Sequence, residues 1–187
     1  MSRETAYGLA ELLLDDEKIG WIEKGSFDLG GKKPEVAEIN AEQVPDAPVE
    51  VIPQSNATIA PTFNMIQMKY EYMKKLLGGT LVETGSDPKK VTGWKAPTEI
   101  ITIEGKWTIK FVSGQVLTIP RAMILANLGG KLTLTETSKI ECELKVMKPK
   151  EDDASPYGMD DADALAALSA KRQEEKKSPT VAAGDPK

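Results

Sequence analysis

The sequence predicts a mainly β protein, an antiparallel β-sandwich or open β-barrel with one flanking α-helix. Three observations support this fold class. Apolar and polar residues alternate through several segments of residues 1–149, as they do in strands that bury one face. Glycine, proline and aspartate separate these segments and supply turns. One segment alone, about residues 65–77, has the apolar spacing of a helix.

The first elements are predicted to be strands. Residues 9–14 fit the first strand of a hairpin that turns at residues 15–17, although the same residues would also fit a helix. Residues 19–29 and 36–43 are then predicted as two strands around the turn at residues 30–34, which contains two glycines and a proline.

Residues 65–77 are predicted to form the flanking helix. Asn64 is placed to cap its first turn, and Gln67 supplies the second half of a capping box. Gly78 and Gly79 supply the left-handed stop at its end. The stripe that this helix would bury is formed by Ile66, Tyr70, Met73 and Leu77.

Five further segments complete the predicted sheet. The clearest is residues 140–146, in which Cys142 and other apolar residues alternate with Glu141 and Glu143. This phase places Cys142 in the core as a small hydrophobic residue. The other four segments are residues 99–103, 107–111, 115–119 and 132–135. The turns that separate them are predicted at residues 85–88, 113–114 and 129–130.

A proline-rich stretch, residues 44–56, is predicted to be a long loop. Long loops without secondary structure are uncommon in compact domains and are usually functional. We therefore expect this loop to contact other subunits, the alternative being a loop that only meets solvent. The residues expected at the contact are Pro45, Asp46, Pro48, Glu50 and Pro53.

The composition divides the chain into two parts. Residues 150–187 carry nine acids and six bases, a net charge of −3, and contain no Ile, Phe or Trp. We expect this segment to be a polar, acidic, disordered tail, with at most one marginal helix, because it cannot bury enough apolar surface to fold. Residues 1–149 carry the remaining 20 acids and 18 bases, and are predicted to be the β domain.

Several classes of function are disfavoured by composition. The chain has no histidine and one cysteine, which removes the usual proton shuttle and the nitrogen and sulfur ligands of zinc sites. We expect no catalytic residue, no cofactor and no metal site. The net charge of −5 argues against a general nucleic-acid binder. No run of about 18 apolar residues occurs, so no membrane anchor is expected.

Several segments of the chain, taken in order, resemble the major tail proteins, or tail tube subunits, of long-tailed bacteriophages. They are IGWIEKGSFDLGG, EINAEQ, LLGGTL, VTGWKAP, IEGKWTIKF, LTIPRAMILANL and IECELKVMKP. The most specific pieces are residues 77–80, 93–97 and 119–122, and the resemblance covers most of residues 9–149. It implies a tail-tube-like fold, shared with tubes of type VI secretion and contractile injection systems, that assembles into hexameric rings.

The resemblance further implies a structural virion protein whose rings stack into the tail tube that delivers the genome. The expected partners are other copies of the chain, the tape-measure protein, the tail terminator and the baseplate or tail-tip proteins. DNA would pass through the lumen without specific binding. The expected location is the virion tail, after assembly in the host cytoplasm.

The lumen of such a tube should be acidic or neutral, because a basic wall would bind DNA and stall its delivery. Like charges repel within a Debye length of ~8–10 Å. Two sets of strand carboxylates are candidates for the lumenal face, and the sequence leaves both open. One set is Glu38 and Glu42, and the other is Glu141 and Glu143.

Two alternatives to a phage tail tube remain at this stage. The first is the inner tube of a contractile injection or secretion system, which would pass proteins instead of DNA. The second belongs to a different class, a monomeric β-sandwich binding module such as a carbohydrate or adhesion domain. Such modules usually display a row of exposed aromatic residues, and aromatic residues make up only 5% of this chain.

Overall fold

The computed structural model describes residues 4–86, 88–151 and 154–166. The fold is mainly β, as predicted, with antiparallel sheets arranged as a β-sandwich with a flanking helix. One sheet has seven strands, and two further sheets are two-stranded hairpins. The elements are β1 (Leu9–Leu14), β2 (Glu17–Lys18), β3 (Val36–Ile39), β4 (Glu50–Pro53), β5 (Thr62–Met65), α1 (Tyr70–Leu77), β6 (Thr80–Thr84), β7 (Lys90–Lys95), β8 (Ile103–Phe111), β9 (Gln115–Gly129), β10 (Lys139–Val146) and β11 (Gly158–Asp161).

The long strand β9 organises the main sheet, whose order is β2-β1-β8-β9-β10-β5. Strand β8 pairs with one edge of β9. On the other edge β10 pairs with residues 122–129, and β11 pairs with residues 115–118. Because β10 and β11 share this edge end to end, β9 is paired on both sides over most of its length.

The core lies on one face of this sheet. Trp107 on β8 is fully buried, and its ring centroid lies 6.0 Å from that of Phe63 on β5. Helix α1 packs over β8 and β9. The predicted apolar phase of β10 is confirmed, since Ile140, Cys142 and Leu144 are all buried.

The first hairpin confirms the preferred prediction, because residues 9–14 form a strand and not a helix. Asp15 and Asp16 form its turn with φ angles of 49° and 66°, the left-handed geometry that two-residue hairpins favour. The Lys106 backbone N–H donates to the Asp15 carboxylate at 2.9 Å, which ties the turn to β8.

The prediction of a strand at residues 19–29 is wrong. Only isolated bridges join this segment to β5, at Ile22 and Asp28. Gly20 and Gly25 have φ angles of +112° and +80°, and these bend the chain out of an extended path. The segment begins beside β1 and ends beside β5, so it spans the two edges of the sheet. In the described residues the sheet does not close into a barrel.

The helix is shorter than predicted, and the prediction of a start near residue 65 with Asn64 as cap is wrong. Helix α1 begins at Tyr70, after an N-cap residue, Lys69, whose side chain makes no capping hydrogen bond. Asn64 lies in β5, where it is paired with Glu141 of β10. The residues predicted to begin the helix therefore form part of a β-strand instead. Gly78 ends the helix with φ of +75°, as predicted.

The buried face of the helix also differs from the predicted stripe. Met73 and Leu76 are its buried residues. Ile66 lies outside the helix and is exposed, as is Tyr70, while Leu77 is partly buried against the core. The later start removes Ile66 from the helix, and Leu76, which lies outside the predicted stripe, is buried together with Met73.

The strand predicted at residues 36–43 stops at Ile39, and the predicted loop at residues 44–56 contains the strand β4. Strands β3 and β4 pair antiparallel to form a separate hairpin. The apolar alternation of residues 49–52 explains why part of this proline-rich stretch is extended. We call residues 35–53, which comprise both strands and the turn between them, the arm.

Two other predicted strand segments are loops. Residues 99–102 precede β8, and Ile100 there is fully exposed. Residues 131–138 join β9 to β10, and Leu132 is strongly exposed. The Thr133 hydroxyl accepts a hydrogen bond from the Glu136 backbone N–H at 2.9 Å. Such local bonds favour a turn over a strand, which overrides the alternation.

The sheet continues past the domain boundary predicted near Pro149. Strand β11 pairs with β9, and the Ala162 backbone N–H donates to the carbonyl of Gly114 at 3.0 Å. Tyr157 packs against the core. The paired structure therefore extends to Ala162, because β10 leaves one half of the β9 edge open for a further strand. The rest of the predicted tail, residues 167–187, lies outside the described residues.

The burial of Trp107 generates a stability prediction. We expect Trp107→Ala to lower the free energy of unfolding by about 3–5 kcal/mol, because it leaves a large cavity beside Phe63. Trp21→Ala is the matched control, since Trp21 is 70% exposed and should change stability by less than about 0.5 kcal/mol. Urea denaturation of the two variants measures both values. Equal losses would contradict the assignment of the core.

Candidate functional site

The arm is the most unusual surface of the described structure. Its apolar side chains are exposed on both strands and in the turn, and each shows between 39% and 59% of its surface to solvent. An isolated two-stranded hairpin is marginally stable in water, and an exposed strand edge invites pairing with another chain. These exposed residues are Val36, Ile39, Val44, Val49, Val51 and Ile52.

A ladder of hydrogen bonds attaches the arm to the body. The Gln54 backbone N–H donates to the Glu35 carbonyl at 2.7 Å. Lys32 and Thr58 exchange backbone hydrogen bonds of 2.8 and 3.2 Å further down the same ribbon. The arm therefore continues the chain path that flanks β5, and its direction is set by backbone pairing instead of by side-chain packing.

The arm is also strongly acidic. It carries five acids and no lysine or arginine, so its net charge is −5, equal to the net charge of the whole chain. In the described part of the chain no ion pair involves these acids. Glu38 lies on β3 and Glu42 lies in the turn between the strands. The residues predicted for the inter-subunit contact, Pro45, Asp46, Pro48, Glu50 and Pro53, all belong to the arm.

The second predicted carboxylate set lies elsewhere. Glu141 and Glu143 lie on β10, on the face of the seven-stranded sheet that points away from the core, which we call the outer face. Asn127 donates to the Glu141 carboxylate at 3.3 Å, and Lys145 forms an ion pair with Glu143. The two predicted sets are thus in different parts of the fold, one on the arm and the other on β10. They also differ in their neighbours, because Glu143 has a cation beside it.

Ion pairs continue across the outer face. Glu11 on β1 binds Lys18 and Lys110, and hydrogen bonds from these two lysines hold the pKa of the Glu11 carboxyl below its ordinary value. Arg121 on β9 donates to Glu104 on β8 at 2.6 Å, which lowers the pKa of the Glu104 carboxyl. Acids and bases alternate here, so the outer face is close to neutral.

An open groove of about 840 Å³ lies between β1 and the segment at residues 20–29. It marks the place where the sheet fails to close, because β2 is only two residues long and pairs only with the end of β1. Apolar side chains line much of it, including Leu9, Phe27 and Phe111, and Trp21 stands at its edge. An uncovered strand edge beside apolar side chains is a surface that an added strand can occupy.

Glu23 fixes the far wall of this groove. Its carboxylate accepts hydrogen bonds from the Asn64 amide at 2.8 Å and from Lys139 at 3.1 Å. The hydrogen bond from Asn64 is the main cause that lowers the pKa of the Glu23 carboxyl, and the hydrogen bond from Lys139 is the second. These contacts join the segment at residues 20–29 to β5 and β10, since Asn64 and Lys139 lie on those strands.

The chain has a single cysteine, Cys142, and it is buried in the core. Burial raises the pKa of the Cys142 thiol to about 12, so this thiol is protonated at neutral pH. The residues that the structure describes contain no group of three or more acids and cysteines that could hold a metal ion. No helix among them is long and apolar enough to cross a membrane.

Comparison with known proteins leaves the chain without an assigned family. No protein-family model matches the sequence, and no curated protein matches it.

Sequence reasoning found the arm only in part. It singled out the prolines and acids of residues 44–56 but not the pairing of β4 with β3. The signal was present in the alternation of Val49, Glu50 and Val51. The groove between β1 and residues 20–29 was missed altogether, because it depends on contacts between segments distant in the chain.

The bonds of Glu23 predict an acid-dependent stability. A carboxyl with a lowered pKa in the folded state stabilises the fold above its unfolded pKa, and that contribution is lost as the pH falls through the folded pKa. We expect Glu23→Gln to lower the melting temperature at pH 7 and to have little effect below about pH 3. Melting curves between pH 7 and pH 3 measure this difference. A difference that stays constant over this range would contradict the role of the Glu23 charge.

Proposed function

We propose that this protein is a structural subunit that assembles with copies of itself into rings stacked as the tail tube of a phage virion. The observation that carries the proposal is the arm, which exposes apolar side chains on both of its strands. Clusters of exposed apolar side chains are typical of interaction sites in soluble proteins. The resemblance of residues 9–149 to phage tail tube subunits supplies the kind of assembly.

The arm and the groove each offer a surface for contacts between copies of the chain. The arm leaves the body beyond β5, whereas the groove lies between β1 and residues 20–29, so they are two different surfaces of the subunit. Two different surfaces on one subunit give a head-to-tail contact, which forms rings if the rotation closes and filaments if it does not. Stacked rings require contacts of both kinds.

The outer face of the seven-stranded sheet suits the wall of a DNA conduit. Its lysines and arginine are paired with carboxylates, as in the Arg121 contact with Glu104. Paired cations have little capacity to displace counterions from phosphates, so a duplex would pass without binding. We therefore assign Glu141 and Glu143 to the lumenal wall in preference to Glu38 and Glu42, and expect no catalytic role for the protein.

One observation favours a second candidate, a monomeric binding module. Trp21 is exposed at the edge of the groove, where an aromatic ring would suit a small planar or sugar ligand. A monomeric binding module does not explain why the apolar side chains of the arm are exposed. It also predicts that the protein remains a monomer at high concentration.

Electron microscopy and analytical ultracentrifugation of the purified full chain test the proposal. We expect rings or hollow tubes at micromolar to millimolar concentration, with a monomer of 20.3 kDa on dilution. A protein that stays at the monomer mass over this range would overturn the assembly and favour the binding module. Solid filaments without a lumen would support self-association and contradict the conduit.

The apolar side chains of the arm generate a matched prediction. We expect Val49→Asn together with Val51→Asn to raise the concentration needed for assembly at least tenfold, since each valine buried at an interface contributes roughly 1.5–3 kcal/mol. Val112→Asn is the control, because Val112 and Val49 are both 59% exposed but Val112 lies outside the arm. Sedimentation at graded concentrations measures the threshold. Equal thresholds for all three proteins would exclude the arm from the contact.

A further inference from the structure

We infer that the acidic arm of one copy binds a basic surface on helix α1 and the β6–β7 hairpin of the next copy. The inference rests on the proposed function, which requires copies of the chain to meet, and it names the two surfaces that meet. It is based on the separation of negative and positive charge between two regions of the subunit. This separation does not appear in the net charge of residues 1–149, which is close to zero.

The charges fall into two opposed regions. The arm has a net charge of −5, from five acids and no base. Residues 69–95, which comprise α1 and the β6–β7 hairpin, contain six lysines and three acids, a net charge of +3. Opposite potentials on two surfaces of one subunit favour head-to-tail association and suppress contacts between like surfaces.

Side chains on the basic surface are available for a partner. Among the described residues, Lys75 pairs with Glu17 and Lys89 lies 3.9 Å from Glu83. In the same part of the chain no ion pair involves the three lysines on which the inference depends. They are Lys74, Lys90 and Lys95.

The backbone holds α1 and the β6–β7 hairpin together as one surface. The Trp94 indole N–H on β7 donates to the carbonyl of Gly78 at 2.7 Å, where the helix ends. Gly79 follows with φ of +85°, and a Cβ there would lie 2.2 Å from the Lys95 carbonyl. The close approach that Gly79 permits therefore sets β7 beside the end of the helix.

Apolar side chains beside these lysines complete the match to the arm. Tyr70 on α1 is 43% exposed and Ile101 is 51% exposed. Ile101 lies near Gly78, since a Cβ built there would be 3.2 Å from its side chain. The arm likewise alternates acids with exposed valines and isoleucines. Apolar contact would hold the two surfaces together, and the charges would set their orientation.

The experiment is a charge exchange between two variants of the full chain. The arm variant carries Glu38→Lys, Glu42→Lys and Glu50→Lys, which changes the net charge of the arm from −5 to +1. The surface variant carries Lys74→Glu, Lys90→Glu and Lys95→Glu, which changes residues 69–95 from +3 to −3. Circular dichroism and melting curves first establish that both variants fold.

We expect each variant alone to need at least a tenfold higher concentration than the wild type to assemble. An equimolar mixture should assemble at a lower concentration than either variant alone. The surface variant keeps its acidic arm and the arm variant keeps its basic surface, so this arm can bind this surface as in the wild type. Lys131→Glu is the control for Lys95→Glu, since it makes the same charge change on the β9–β10 loop and should leave the threshold unchanged.

The outcomes separate this inference from the proposed function. If the wild type assembles and the arm and surface variants assemble at the same threshold, the charged contact is wrong while the tube stands. If both variants fail and the mixture gives no recovery, the two surfaces do not meet each other and the inference is also overturned. If the wild type stays monomeric, the proposed function fails first.

Discussion

The requirement that β9 be paired along both edges governs the rest of the structure. A strand of 15 residues exposes more backbone hydrogen-bonding groups than one neighbour can satisfy, so β8 takes one edge while β10 and β11 divide the other. Pro120, which cannot donate a hydrogen bond, falls between the two segments that share this second edge. Burial of Trp107 against β5 then fixes the face on which the core forms.

The body has a buried core, and the arm does not. The body packs Trp107, Phe63 and the apolar phase of β10 into one core and pairs the charges of its outer face, whereas the arm leaves six apolar side chains and five acids facing water. Two exposed strands would gain little stability on their own. A contact with another copy explains both the apolar side chains and the charge, and it gives the acidic arm a defined partner surface.

Local patterns predicted the fold class, the first hairpin, the β10 phase and the stop of the helix, because alternation and turn chemistry act over a few residues. They failed where contacts between residues distant in the chain determine the secondary structure. Asn64 looks like a helix cap but pairs with β10, and β11 is too polar to be recognised without the open edge of β9. The candidate site could be predicted only in part for the same reason. Its prolines and acids are local signals in the sequence, whereas the pairing register of β3 and β4 is not.

Hydrogen–deuterium exchange of the arm measures the central claim most directly. The account predicts that amides of residues 36–39 and 50–53 exchange freely in the dilute monomer and become strongly protected when the full chain is concentrated into assemblies. Amides of β9 should be protected in both states, which provides an internal reference. Unchanged exchange of the arm in assembled protein would contradict the claim that the arm joins one subunit to the next.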